Sequence, residues 1–213
     1  MAGNMELYYA DSGYLEIIKG PMFSGKTTRI MDIYKKYSFC DIKTMVINYE
    51  KDNRYSENML SSHDKIMIPC IKSLTLNEVV NITDASAMAT ESLAASVSGK
   101  YAVEFIEAKA ILINEGQFFP DIVEWVRLAV EKYHKNVYIC GLNSDFKRNK
   151  FGNWLDLETI SDNVVILHSF CGCCKKRPAI FSHRLSDESA QEVIGSDCYI
   201  PVCRKCYINL SYK

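Results

Sequence analysis

Three groups of residues could do chemistry. The first is an octet of Gly20, Pro21, Met22, Phe23, Ser24, Gly25, Lys26 and Thr27, which fits the pattern G-x-x-x-x-G-K-[ST]. Backbone N–H groups of such a loop, with the positive end of a following helix, cradle phosphate oxygens. Lys26 then reaches the outer phosphates of a nucleotide, and the Thr27 hydroxyl ligates Mg²⁺. The second is Glu115, in the run Ile113-Asn-Glu-Gly-Gln-Phe-Phe-Pro-Asp121. Placed just past a buried strand, its carboxylate could take a proton from an attacking hydroxyl. A solvated loop carboxylate fits the same spacing. The third is a pair of C-x-x-C units, Cys171/Cys174 and Cys203/Cys206, with 28 residues between them. Each unit aims two thiolates at one tetrahedral ion, so the quartet reads as a structural zinc site. Cys173 is a competing ligand, but adjacent cysteines do not easily share one ion.

These groups need elements to hold them. A strand is expected over Tyr14–Lys19, then the glycine-rich octet, then a helix to about Tyr37. Thr44–Asn48 reads as a second strand and Lys65–Ile71 as a third, with a short helix over Leu74–Ile82. Ala110–Ile113 is an apolar run of the fully buried kind. Pro120 opens a helix reaching about Tyr133. Val137–Gly141 and Val164–Leu167 are further strands. Strands alternating with helices imply an α/β fold of the P-loop NTPase kind, a parallel sheet covered on both faces. After Phe170 the texture changes to Cys, Lys, Arg and Ser. The expected organisation is therefore a kinase-like domain over 1–168 and a small zinc-ribbon subdomain over 169–213. Residues 84–108 read as an excursion, part helix and part loop.

The whole chain limits the function classes. Its net charge is −1, with 25 basic and 26 acidic residues among 213. No basic excess is present to drive sequence-independent nucleic-acid binding. No apolar run approaches the roughly 20 residues that span a membrane, and Met1–Asp11 lacks a secretory pattern. A cytoplasmic protein is expected, and nine cysteines, six of them in the last 43 positions, then mean metal rather than disulfides. Cys40, Cys70, Cys140 and Cys198 are expected to be ordinary or buried thiols. His63, His134, His168 and His183 form no ligand spacing and are expected to be surface or local hydrogen-bonding residues.

Four blocks in order resemble the type II thymidine kinases, the cytosolic and poxvirus kind: Gly20–Thr27, Lys51-Asp-Asn-Arg-Tyr-Ser56, Asn114–Ile122 and Val202-Cys-Arg-Lys-Cys-Tyr207. The resemblance runs from about Tyr14 to Tyr207. It implies transfer of the ATP γ-phosphate to the 5′-hydroxyl of thymidine, giving thymidine monophosphate. It implies that Glu115 is the catalytic base, that Arg54 faces the phosphates, and that Asp52 holds magnesium directly or through water. It implies that Met22, Phe118, Leu142, Phe146 and Phe151 surround the nucleoside. Ser182, Val193 and Tyr199 match positions in a lasso, from about Phe181 to Tyr199, which covers the base. The resemblance further implies a homotetramer inhibited by thymidine triphosphate.

Two departures from the family pattern stand out. Position 114 usually carries Asp, and Asn keeps an oxygen but loses the charge. Magnesium then relies on Thr27, Asp52 and phosphate oxygens, or is bound more weakly. The stretch 84–108 is longer than the family pattern. A nucleoside kinase of other specificity, or a nucleic-acid-binding ATPase whose cysteine ribbon contacts DNA, are the rival readings; the near-neutral charge counts against the second.

Overall fold

A computed structural model of the chain describes residues 12–52, 58–62, 65–83, 96–192 and 198–211. In chain order its elements begin β1 (Tyr14–Gly20), α1 (Lys26–Phe39), β2 (Thr44–Tyr49), β3 (Met59–Ser61), β4 (Met67–Pro69), β5 (Ile71–Ser73) and α2 (Leu76–Val79). They continue with β6 (Asn81–Ile82), β7 (Val97–Ser98), α3 (Ala102–Glu107), β8 (Ala110–Ile113), α4 (Ile122–Glu131), β9 (Asn136–Leu142) and β10 (Asn163–Ile166). The C-terminal part adds β11 (Ser169–Phe170), β12 (Pro178–Ala179), β13 (Phe181–Arg184), β14 (Tyr199–Val202) and α5 (Arg204–Ser211).

Six strands form one sheet in the order β10-β1-β9-β8-β2-β5, with every pairing parallel. Alternation along each strand sorts the side chains to two faces. Leu15, Ile17, Ile47, Ile111 and Ile139 pack with Trp125 of α4, Phe105 of α3 and Trp154. Ile18, Val46, Leu112 and Tyr138 pack with Ile30 and Met31 of α1. Helices on both faces explain why the central strands read as near-continuous apolar runs. Parallel pairing also brings the carboxyl ends of β1, β2, β8 and β9 to one edge, as Gly20 opposite Leu142 and Ile47 opposite Ile113 show.

Several local expectations change. The run 65–71 is not one strand. β4 pairs antiparallel with β3 in a separate ladder, while β5 joins the main sheet. Pro69 has no N–H to continue a ladder, so the chain changes partners there. The helix expected over Leu74–Ile82 is the single turn α2. A capping box between Thr75 and Glu78 starts it, and Val80 is already extended. The α4 helix starts at Ile122 rather than Pro120. Asp121 caps another helix instead: its carboxylate accepts from the Leu76 and Asn77 amides, at 3.1 and 2.9 Å. Within 84–108, residues 84–95 lie outside the described residues. The rest supplies β7, paired with β6, and α3.

The C-terminal elements form two short antiparallel ladders, β11 with β12 and β13 with β14. Their small core is Cys171, Ala179, Val202, Cys203 and Tyr207. The Tyr207 hydroxyl donates to the Phe146 carbonyl at 2.7 Å, and Asn143 Nδ2 donates to the Ile180 carbonyl at 3.1 Å. These bonds fix the ladders against the loop that follows β9.

Candidate active site

The glycine-rich turn leaves β1 at Gly20, where any Cβ would come within 2.4 Å of the Leu167 carbonyl oxygen and 2.7 Å of Ser24 Oγ. Only glycine fits that approach. Phe23 and Gly25 have φ of 61° and 84°, the left-handed conformation that turns the chain into α1. The first turn of α1 has no side-chain cap and no acidic residue. Its amide donors and positive dipole end therefore suit an external anion. Lys26 is buried and donates from Nζ to the Pro21 carbonyl at 2.7 Å, so its ammonium is folded back over the turn. Ser24 Oγ is buried without a hydrogen-bond partner, a further polar atom suited to a phosphate oxygen.

Glu115 sits where β8 ends. Asn114 makes the last ladder bond, its N–H donating to the Ile47 carbonyl at 2.9 Å. Glu115 then adopts φ 59° and ψ 45°, a left-handed conformation that a glutamate rarely takes. Gln117 Nε2 donates to Glu115 Oε2 at 2.6 Å, and Gln117 Oε1 accepts from the Leu142 amide at 3.0 Å. The buried Gln117 thus ties the carboxylate to the end of β9.

Behind Glu115 runs a buried polar chain. The Cys140 thiol donates to Asn114 Oδ1 at 2.9 Å, Asn114 Nδ2 donates to Asn48 Oδ1 at 2.9 Å, and Asn48 Nδ2 donates to Asp52 Oδ2 at 3.3 Å. Burial pushes the Cys140 thiol up to about 12, Glu115 adds to the rise, and Lys26 opposes it. It stays a neutral donor, and Asn114 faces this chain rather than the cleft.

The turn and the carboxylate open into one cleft of about 1030 Å³ including its mouth. Met22, Phe23, Ser24, Gly25, Lys26 and Thr27 of the turn line it, together with Asp52 and Glu115. Phe118, Leu142, Phe146, Phe151, Ser182 and Tyr199 line it as well. Gly20 and Pro21 form the base of the turn. Arg54 and Val193 lie outside the described residues. Tyr49, missed in the sequence, stacks on Phe118 at 4.6 Å and 18°, and Phe151 meets Phe118 edge-on at 5.2 Å. Tyr49 ends β2, and its place at the carboxyl edge was its only signal. Ser182 Oγ accepts from the Met22 amide at 2.9 Å, so β13 reaches the turn directly. An aromatic wall and polar side chains beside a phosphate-suited turn fit a nucleoside and a nucleotide together.

The sulfur atoms of Cys171, Cys174, Cys203 and Cys206 all lie within 4.8 Å of one another. Cys174 and Cys203 are 3.9 Å apart. Tetrahedral thiolates about 2.3 Å from zinc are about 3.8 Å apart, so the quartet is compatible with a zinc site. Cys173 is exposed and outside it. Burial disfavours the Cys171 thiolate, yet backbone hydrogen bonds at Cys174, Cys203 and Cys173 hold its pKa below the usual thiol range. Cys40 is exposed, Cys70 half-buried and Cys140 buried, apart from the quartet. His134 and His168 are exposed. No helix among the described residues is long and apolar enough to cross a membrane.

Comparison with known proteins agrees with this geometry. The family model described as Thymidine kinase matches residues 13–207. The chain is 38% identical over 202 residues to the thymidine kinase of Variola virus (isolate Human/India/Ind3/1967), spanning 93% of this chain and 99% of that protein. The thymidine kinase of Vaccinia virus (strain Western Reserve) gives the same figures. That of Myxoma virus (strain Uriarra) is 35% identical over 196 residues, 92% of this chain and 96% of the relative. With the family pattern running from the first strand to the last cysteine pair, the chain belongs to the thymidine kinase family.

Proposed function

We propose that this enzyme transfers the γ-phosphate of ATP to the 5′-hydroxyl of thymidine. The carrying observation is a cleft in which a phosphate-suited turn, the Glu115 carboxylate tethered by Gln117 and an aromatic wall meet. In this reading Gly20–Thr27 is a P-loop whose amides, with Lys26 and Arg54, hold the phosphates of ATP. Thr27 and Asp52 offer the hard oxygen ligands that suit Mg²⁺, which when bound would neutralise charge on the transferring group. Thymidine lies between Met22, Phe118, Leu142, Phe146 and Phe151, covered by the lasso through Ser182, Val193 and Tyr199. Glu115 accepts the proton of the 5′-hydroxyl as its oxygen attacks the γ-phosphorus, the bond from that phosphorus to the β,γ-bridging oxygen breaks, and ADP leaves. Gln117 holds the carboxylate for that step, and the filled cleft keeps water from competing.

The same reading divides the chain into a kinase domain over 1–168 and a zinc-ribbon subdomain over 169–213. Zinc there is structural, because four protein ligands leave no open position for chemistry. A cytoplasmic homotetramer inhibited by thymidine triphosphate completes the proposal. The test is Glu115→Gln, assayed with ATP and thymidine. Loss of a general base costs about 10²–10⁴ in rate, so kcat should fall by at least a hundredfold, roughly, while thymidine still binds. A variant that keeps a tenth of the wild-type kcat, roughly, would remove Glu115 from the role of base.

A further inference from the structure

Arg184 is almost fully buried at the end of β13, and its guanidinium turns towards the segment that follows β13 rather than to solvent. Nη1 donates to the carbonyl oxygens of Glu188 and Ala190, and Nη2 donates to the Gln191 carbonyl at 2.9 Å. Nε donates to the Tyr199 hydroxyl at 3.1 Å, a bond that Nη2 shares. The guanidinium carbon lies 3.7 Å from the centroid of the Phe146 ring. One side chain therefore gathers three carbonyls of the segment 185–192 and two aromatic residues of the cleft. Its partners here are carbonyl and phenol oxygens and rings. Gln191, whose carbonyl Arg184 holds, donates from Nε2 to Asp145 Oδ2 at 2.9 Å, which ties the same segment to the loop after β9.

We infer that Arg184 is the positioning residue that shapes the nucleoside end of the cleft. It sets the path of the segment 185–192, and it fixes Phe146 and Tyr199 as walls. Only a planar fork fits the arrangement. Its three nitrogens between them reach three carbonyls and the phenol, and its central carbon lies over the Phe146 ring. A lysine ammonium keeps the charge but cannot stack flat or spread its donors in this way. The site served is the nucleoside end, since among the described residues the contacts of Arg184 are with the segment 185–192, Phe146 and Tyr199. This inference rests on the proposed thymidine kinase activity.

The experiment is Arg184→Lys on the full chain, with KM and kcat measured separately for thymidine and for ATP. Losing several charge-assisted hydrogen bonds should raise the thymidine KM by at least about tenfold. The ATP KM should stay within about twofold, because the fork does not reach the phosphate end. Hydrogen exchange of the 185–192 amides should accelerate while that of β8 and β9 amides does not. Tyr199→Phe removes one acceptor and leaves the carbonyl bonds. It should move the thymidine KM in the same direction by a smaller factor, and it serves if Arg184→Lys does not fold. Equal rises in both KM values, or an unchanged thymidine KM in the folded variants, would overturn the inference. A wild-type enzyme that does not phosphorylate thymidine would instead overturn the activity on which it rests.

Discussion

Replacing Asn114 by Asp restores the family's usual residue, and the outcome follows from the buried polar chain. Asn114 is 1% exposed, with Cys140 donating to one end of its amide and Asn48 accepting from the other. Aspartate has no donor at the second end. Its oxygen would face Asn48 Oδ1 at the present 2.9 Å. Flipping the Asn48 amide relieves that clash but turns an oxygen towards Asp52, breaking the 3.3 Å bond to its carboxylate. Either way one buried hydrogen bond is lost, at a cost of about 1–3 kcal/mol. The new charge adds repulsion from Asp52; two charges about 8 Å apart at an effective dielectric of about 20 repel by about 2 kcal/mol. Burial and repulsion both raise the pKa of the new carboxyl in the folded state. Its penalty is therefore absent below the unfolded carboxyl pKa, grows as pH rises through the folded pKa, and is constant above that. Urea unfolding of wild type and Asn114→Asp at pH 5, 6.5 and 8 should show a deficit of about 3–5 kcal/mol at pH 8 that shrinks at pH 5. The Mg²⁺ concentration for half-maximal rate should not fall, since position 114 faces the chain and not the cleft. A variant as stable as wild type at every pH, and needing less Mg²⁺, would refute the reasoning and place the carboxylate beside the metal.

Two further outcomes are expected. The chain should bind one zinc; Cys174→Ser should lose it and Cys173→Ser should keep it, as measured by metal analysis and by the melting temperature with and without chelator. Lys135 is buried and donates to the carbonyls of Ile106 and Ala108, where burial and then Lys109 lower its pKa to about 8. The unfolded state binds more protons between about pH 8 and 10.5, so stability rises with pH in that window. Wild type should gain up to about 3 kcal/mol on Lys135→Met between those limits in urea titrations.

The glycine-rich turn and the two C-x-x-C pairs were legible because each depends on spacing within a few residues, whereas spacing left Glu115 open to a solvated loop carboxylate and only family resemblance suggested a base. That Phe118, Leu142 and Phe151 line the cleft was suggested only by family resemblance, because they carry no pattern that separates a pocket from a core. Tyr49, Gln117 and Arg184 were not legible. Each acts through partners far away in sequence, such as Leu142 for Gln117 or Phe146 for Arg184. Asp121 shows the same limit on the fold. Its place before α4 suggests a cap for that helix, yet it caps α2, 45 residues earlier. The β4–β5 break was marked by Pro69, but which strand joined the main sheet depended on pairing partners that local sequence does not encode.

The strand order has a consequence for synthesis. β1 is the first strand among the described residues, yet its neighbours in the finished sheet are β9 and β10. From the ribosome, at about 5–20 residues per second, roughly 120 residues separate β1 from β9, a wait of about 6–24 s. Through that interval Leu15, Ile17 and Ile18 have no sheet to bury them and both edges of β1 stay open. An unpaired apolar strand of this kind is a template for association with other chains. The nascent chain therefore needs shielding until residue 142 has emerged, and a message cut short before that point yields a product that cannot close its own core.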